Sequence, residues 1–316
     1  MPLEILTGEE IWRVSHPNHP LIEGVLWEGD VVMLLGSEKA GKSILGLQMA
    51  FSLTTATPFL DKYQIPAPVP VLYIQTEGKE NEMVEERMRH MANTVDVSQE
   101  RFSRIFQHFL TLDDLGCVTA LIKGIKQMET PPKVIFIDSL YTSMLGDLNE
   151  NHAIRQFITA VSRFLEELHV SLVIIHHETK EHWEDGRIVE RGDRASYGSV
   201  FLRAWVSHIL CLKKMKDKSR TLTCDTQRNG KVLEREELVL IEPDPLCFQL
   251  KGDFAPAVEL VLRQLTMKGP LTREQLKEHT GLSMATVEKG LRQLLLAKKV
   301  TKSDGYPRQY HVRTSV

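Results

Sequence analysis

The sequence predicts an α/β fold: a mostly parallel sheet covered by helices, extended by antiparallel strands and followed by a small C-terminal helical domain. Three observations carry this. Short apolar, β-rich runs alternate with runs of helical periodicity through the first half of the chain, as β-α repetition in a parallel sheet requires. After Ser196 the alternation gives way to strand-like segments joined by charged turns. From Phe254 onward the charge changes sign, with a net of +6 on residues 254–316 against −9 on the remainder and −3 overall.

Taken in order, the strands are expected at Val31–Leu35, Val69–Gln75, Val134–Ile137 and Ser171–Ile175. Helices are expected between them at Ser43–Leu53, Glu80–Met91, Val118–Met128 and His152–Leu168. The antiparallel extension reads as Val206–Leu212, Arg220–Asp225 and Glu237–Leu240. Turn-rich Glu242-Pro243-Asp244-Pro245 and Lys251-Gly252-Asp253 then divide the chain into domains 1–253 and 254–316. In the second domain, Pro256–Met267 is amphipathic, Thr272 and Ser283 have the form of N-caps, and Gly281 ends the intervening helix. Val300–Lys302 and Gln309–Arg313 flank an Asp304-Gly305 turn, so three helices precede a β-hairpin. That is the layout of a winged helix, which serves as a DNA-binding or an interaction module.

The composition, 42% hydrophobic and 26% charged over 316 residues, excludes intrinsic disorder. No apolar stretch reaches the ~18 residues of a membrane span, and Met1–Glu10 has no basic side chain, so a cytoplasmic protein without a membrane partner is expected. Cys117, Cys211, Cys224 and Cys247 show no C-x-x-C pairing, against a zinc site or disulfide framework.

Gly36-Ser37-Glu38-Lys39-Ala40-Gly41-Lys42-Ser43 matches G-x-x-x-x-G-K-S, directly after one predicted strand and opening a helix. Backbone N–H groups in such a loop cradle phosphates at the positive end of the helix. The Lys42 ammonium reaches the β- and γ-phosphates and the Ser43 hydroxyl ligates Mg²⁺. Asp138 ends the strand Val134–Ile137 and is the metal-supporting acid. Glu77 follows Val71–Gln75 at the same edge, where it either polarises the attacking water as general base or charges the first turn of the next helix. His176 and His177 end the last parallel strand. Neighbours on a strand diverge, so only one faces the nucleotide. The expectation is His177 as γ-phosphate sensor, with His176 packed within the sheet.

In this order these motifs resemble the RecA-like motor superfamily, closest to the plasmid RepA-type and DnaB-type ring helicases. The resemblance runs from about Leu21 to Gln249 and includes Gly146–Asn151 and the His-His-x-Thr-Lys segment. It implies ATP and Mg²⁺ as cofactors, assembly into a homo-oligomer such as a hexameric ring, and single-stranded DNA as partner. Asp225-Thr226-Gln227-Arg228-Asn229-Gly230 is similar to the family's Lys-x-Arg-Asn-Gly turn, with Thr226 where a lysine often stands. Carried over, Arg228 is an arginine finger acting on a neighbouring subunit's nucleotide. The family's DNA-contacting loops correspond to about Met144–His152 and Glu181–Tyr197. The function implied is an ATP-driven DNA translocase or helicase of a plasmid, phage or other mobile element. The alternative is an ATPase switch that binds duplex DNA through its C-terminal domain and loads other factors without unwinding.

Overall fold

A computed structural model describes residues 7–9, 19–78, 84–91, 98, 100–107, 110–147, 150–177, 182–184, 187–189, 200–227, 233, 235–241, 246–251, 256–303 and 307–313. A short pair, β1 (Pro20–Ile22) and β2 (Leu26–Trp27), leads into β3 (Val31–Gly36). The central sheet continues with β4 (Val71–Gln75), β5 (Phe102–Phe106), β6 (Val134–Asp138) and β7 (Ser171–His177). A separate hairpin, β8 (His182–Glu184) and β9 (Arg187–Val189), precedes the last strands of the sheet: β10 (His208–Lys214), β11 (Arg220–Gln227), β12 (Arg235–Ile241) and β13 (Cys247–Leu250). The nine strands lie in the order β13-β12-β11-β10-β3-β7-β6-β4-β5. Pairings from β10 through β5 are all parallel, and those from β10 outward to β13 are antiparallel. This is the mostly parallel α/β sheet with an antiparallel extension that the sequence predicts.

The helices of this part are α1 (Lys42–Thr55), α2 (Val84–Met91), α3 (Leu115–Lys126), α4 (Asn151–Leu168) and α5 (Val200–Trp205). Strands β3, β4 and β6 are buried along their whole length, as expected of a parallel sheet covered on both faces. Alternation sorts their side chains into two cores. Val32, Leu34, Tyr73, Phe136, Val173 and Ile175 pack with α1 on one face. Met33, Leu35, Ile74, Ile135, Ile137 and Ile174 pack with α3 and α4 on the other. By the same alternation Asp138 and His177, at the strand ends, fall on the α1 face, and His176 on the other. Helix α1 is buried almost all round because it packs against β13 as well as against the parallel strands: the Gln48 side chain donates to Phe248 O at 2.9 Å and accepts from Phe248 N at 2.7 Å.

Several elements differ from expectation. The segment Glu181–Tyr197, expected as a long loop, contains the β8–β9 hairpin, formed because the chain reverses within a few residues. Helix α3 starts at Leu115 rather than Val118, since Asp114 caps it by accepting from Cys117 N at 2.7 Å. Strands β5 and β13 and helix α5 were not anticipated.

The C-terminal part comprises α6 (Pro256–Lys268), α7 (Arg273–Thr280), α8 (Met284–Leu296), β14 (Val300–Lys302) and β15 (Tyr310–Val312), the order predicted. Its own core gathers Val258, Val261, Leu265, Leu276, Val287, Leu291 and Leu294. Thr272 and Gln275 form a reciprocal capping box, Ser283 accepts from Thr286 N at 3.2 Å, and Gly281 ends α7 in the left-handed region at φ 68°. Helix α6 also faces the body. Leu260 is fully buried outside that core, and Arg263 Nη2 lies 3.0 Å from Asp61 Oδ1 in the loop after α1. Among the described residues no helix is long and apolar enough to cross a membrane.

Candidate nucleotide site

The turn from β3 to α1 is closely packed. A Cβ on Gly36 would lie 2.3 Å from the Leu212 carbonyl oxygen of β10, so the strand end admits no side chain. Gly41 caps α1 at φ +102°, and a Cβ there would meet the Phe248 ring at 2.7 Å. Between them Ser37, Glu38 and Lys39 are exposed and Ala40 is buried. The Ala40 carbonyl accepts from Arg220 Nε at 3.2 Å, so a buried guanidinium from β11 supports the loop from behind. Glycine-only contacts thus fix the turn that carries β3 into the N-terminus of α1, the end of a helix that favours an anion.

The Lys42 side chain is buried and donates to Gly36 O at 2.9 Å and Ser37 O at 2.8 Å. Its ammonium also lies 3.1 Å from His177 Nδ1. An ammonium only donates, so Nδ1 accepts and the imidazole proton sits on Nε2. That Nε2–H faces Glu77 Oε2 at 3.8 Å, longer than a hydrogen bond. Glu77 Oε1 accepts a short hydrogen bond from the Ser139 hydroxyl. His177 is the main influence holding the Glu77 carboxyl below its ordinary value; partial burial opposes it and Ser139 adds to it. Lys42, His177, Glu77 and Ser139 therefore form one chain of contacts across the ends of β3, β7, β4 and β6.

Asp138 is 4% exposed, and its Oδ2 accepts from the Tyr73 hydroxyl at 2.8 Å. Burial raises its carboxyl above the usual range, while hydrogen bonds from Tyr73 and Ser43 oppose the rise. The Ser43–Asp138 contact joins the two residues expected to serve a metal. Thr76 knits the neighbouring strand ends together, bonding Thr142 Oγ1 at 2.6 Å and accepting from Ser139 N at 3.1 Å. His176 is 3% exposed on the opposite face with neither ring nitrogen hydrogen-bonded, and burial lowers its pKa to about 4.

Arg228 lies outside the described residues. The strand that leads to it ends at Gln227, which pairs with His208 at the start of β10, whereas Gly36 pairs with Leu212 near that strand's other end. Strand β11 thus delivers the chain to the sheet edge opposite its own P-loop.

Tyr73, Ser139 and Arg220 were missed by sequence reasoning, and only the strand order brings them to the site. Tyr73 has a local signal in its place within an otherwise aliphatic run; Arg220 has none. The residues present fit a nucleoside triphosphate with a hard divalent cation. The cradle has a glycine at each point where a Cβ would collide, and the donors near it, Ser43 and Asp138, are oxygens. Among the described residues no group of three or more His, Cys, Asp or Glu is placed to hold a metal, so any Mg²⁺ would share its coordination with phosphate and water.

In structure the chain is similar to a KaiC-like protein of the hyperthermophilic archaeon Pyrococcus horikoshii OT3, at 16% sequence identity and a TM-score of 0.48, covering 73% of this chain and 94% of that one. No curated protein matches the sequence. Residues 3–182 match the AAA domain family, over the stretch that holds the P-loop, Glu77, Asp138 and both histidines. The chain belongs to the AAA domain family of P-loop ATPases.

Proposed function

We propose that the protein is an oligomeric, ATP-hydrolysing DNA translocase or helicase of a plasmid, phage or other mobile element, working at subunit interfaces on single-stranded DNA. The observation that carries hydrolysis is the Lys42–His177–Glu77 chain at the mouth of the cradle, beside a buried Asp138. In this reading Lys42 and the loop amides hold the β- and γ-phosphates. Ser43 and Asp138 would hold Mg²⁺, which neutralises charge on the phosphoryl oxygens. Glu77, kept ionised by its neighbours, takes the proton of the attacking water. His177 senses the γ-phosphate through its Nε2–H, the one N–H it carries, which faces Glu77 in the absence of nucleotide and turns to the phosphate on binding. The ending of β11 at the far sheet edge supports a finger that acts on a neighbouring subunit, and hence a homo-oligomer, as in a hexameric ring.

DNA binding by the C-terminal part, as a winged helix, is supported by its surface. Ser283, Lys289 and Gln293 are exposed on or beside α8, as are Lys302, Arg308 and Arg313 around the β-hairpin. A second reading, the DNA-binding switch, is favoured by the Arg263–Asp61 contact, which joins α6 to the loop directly after the P-loop helix. Steady-state ATP hydrolysis with and without single-stranded DNA, with Lys42→Ala as blank, separates the two. Stimulation that survives removal of residues 254–316 supports the motor. Stimulation only by duplex, and lost with those residues, supports the switch. Absence of hydrolysis in all conditions refutes the motor.

A further inference from the structure

Tyr73 lies in the middle of β4, four residues before Glu77. Its side chain is fully buried, its ring stacks on Phe136 with centroids 5.6 Å apart and planes at 15°, and Phe102 lies 6.4 Å away. A phenylalanine would fill the same space, so packing alone gives the hydroxyl no purpose. That hydroxyl donates to Asp138 Oδ2 at 2.8 Å across the β4–β6 pair. It also lies beside α1, 3.6 Å from where a Cβ on Gly46 would stand, which limits its freedom to turn elsewhere.

We infer that Tyr73 is a positioning residue for the divalent cation: by holding Oδ2 of Asp138 it fixes the plane of the carboxylate, so that Oδ1 is presented toward Ser43 and the cation's water shell. This rests on the reading of the cradle as an ATP–Mg²⁺ site. A carboxylate at the end of a strand has a soft terminal torsion. Unrestrained, it samples orientations in which neither oxygen faces the metal. Partners of this kind, one shell out from the cation, typically alter metal affinity by roughly ten- to a hundred-fold when removed. A phenol suits the task because its ordinary pKa of about 10 keeps it a donor at neutral pH.

The test is a titration of Mg²⁺ into the full-length protein with a fluorescent N-methylanthraniloyl ATP analogue, read by polarisation and run alongside a no-magnesium series in EDTA. Tyr73→Phe is expected to raise the half-saturating Mg²⁺ concentration by about ten-fold or more, while affinity in EDTA stays that of the wild type. In an Asp138→Asn background the same substitution should add nothing, since the two residues act as a unit. Phe136→Leu disturbs the ring stack but keeps the hydroxyl, and should lower thermal stability without moving the Mg²⁺ requirement. An unchanged Mg²⁺ requirement in Tyr73→Phe overturns the inference, as does an equal shift in the Asp138→Asn background. If the wild type binds the analogue with no Mg²⁺ dependence, it is the reading of the site itself that fails, and the inference with it.

Discussion

Three glycines separate the two reasons a chain requires that residue, and together they test the account of the cradle. Gly29 has φ +77° and nothing within 4 Å of a built Cβ, so Gly29→Ala meets conformational strain alone, about 1–2 kcal/mol. Gly36 has no positive φ, but its Cβ would lie 2.3 Å from Leu212 O. The obstacle is backbone of the adjacent strand and cannot rotate away, so Gly36→Ala should cost at least the upper part of the usual overpacking range, about 3 kcal/mol or more. Gly41 carries both penalties, φ +102° and a Cβ 2.7 Å from the Phe248 ring, giving roughly 2–5 kcal/mol. Function divides differently. Gly29 precedes β3 at the end away from the cradle, where its N–H donates to Ser171 Oγ at 3.0 Å, so Gly29→Ala should lose stability and keep nucleotide affinity. Gly36→Ala and Gly41→Ala should lose both. Urea unfolding gives the stabilities, and nucleotide titration at a temperature where all variants are folded gives the affinities. A Gly36→Ala protein within about 0.5 kcal/mol of wild type, or a Gly29→Ala protein with impaired nucleotide binding, would refute the reasoning.

Glu77→Gln should lower ATP turnover by roughly 10²–10⁴-fold and leave nucleotide affinity nearly unchanged, as single-turnover and binding assays will show. Because His177, and then Ser139, hold its carboxyl below the ordinary 4.5, the ionised form persists until the pH falls through that depressed value; Ser139→Ala should move the acid limb of turnover upward. His176 acts with the opposite charge change: its folded pKa of about 4 lies below the ordinary 6.5, so the unfolded chain takes up the proton first. Its contribution, complete above pH 6.5, declines as the pH falls toward 4, by about 2 kcal/mol between pH 7 and pH 5. His176→Leu should remove that part of the slope in denaturation curves at the two pH values, and an unchanged slope would contradict it. Gln48→Leu leaves a buried N–H and C=O of Phe248 without partners and should cost about 2–6 kcal/mol, read by chemical denaturation. A loss below 1 kcal/mol would mean that solvent reaches β13.

Much of the site was legible because each motif is local and its mechanism demands a fixed context. The P-loop lies between a strand and a helix, and Asp138 and Glu77 end apolar strands. Period-two alternation was enough to assign His177, rather than His176, to the α1 face. What could not be read depends on contacts between distant segments. Tyr73 and Asp138 are brought together only by the β4–β6 pairing, and Arg220 reaches Ala40 only because β11 pairs with β10 beside β3. The missed strands have physical reasons as well. Strand β5 is an outer strand whose Arg104 pairs with Glu85 of α2 at 3.1 Å, which breaks an apolar run with a half-buried charge. Strand β13 has only four residues, too few for a clear sequence pattern, and Gln48, two hundred residues earlier, helps to hold it.

The Gln48 clasp bears on how the protein avoids itself. Strand β13 is the outermost strand of the antiparallel extension, and such a rim invites a strand from another molecule. At Phe248 both polar backbone atoms already meet a side-chain amide, which offers the same donor and acceptor as a peptide group but ends there and cannot propagate a ladder. One residue of α1 thereby acts as a stopper for the sheet, and loosening that helix would expose an adhesive edge as well as disturb the turn at Gly41, which packs on the same Phe248 ring.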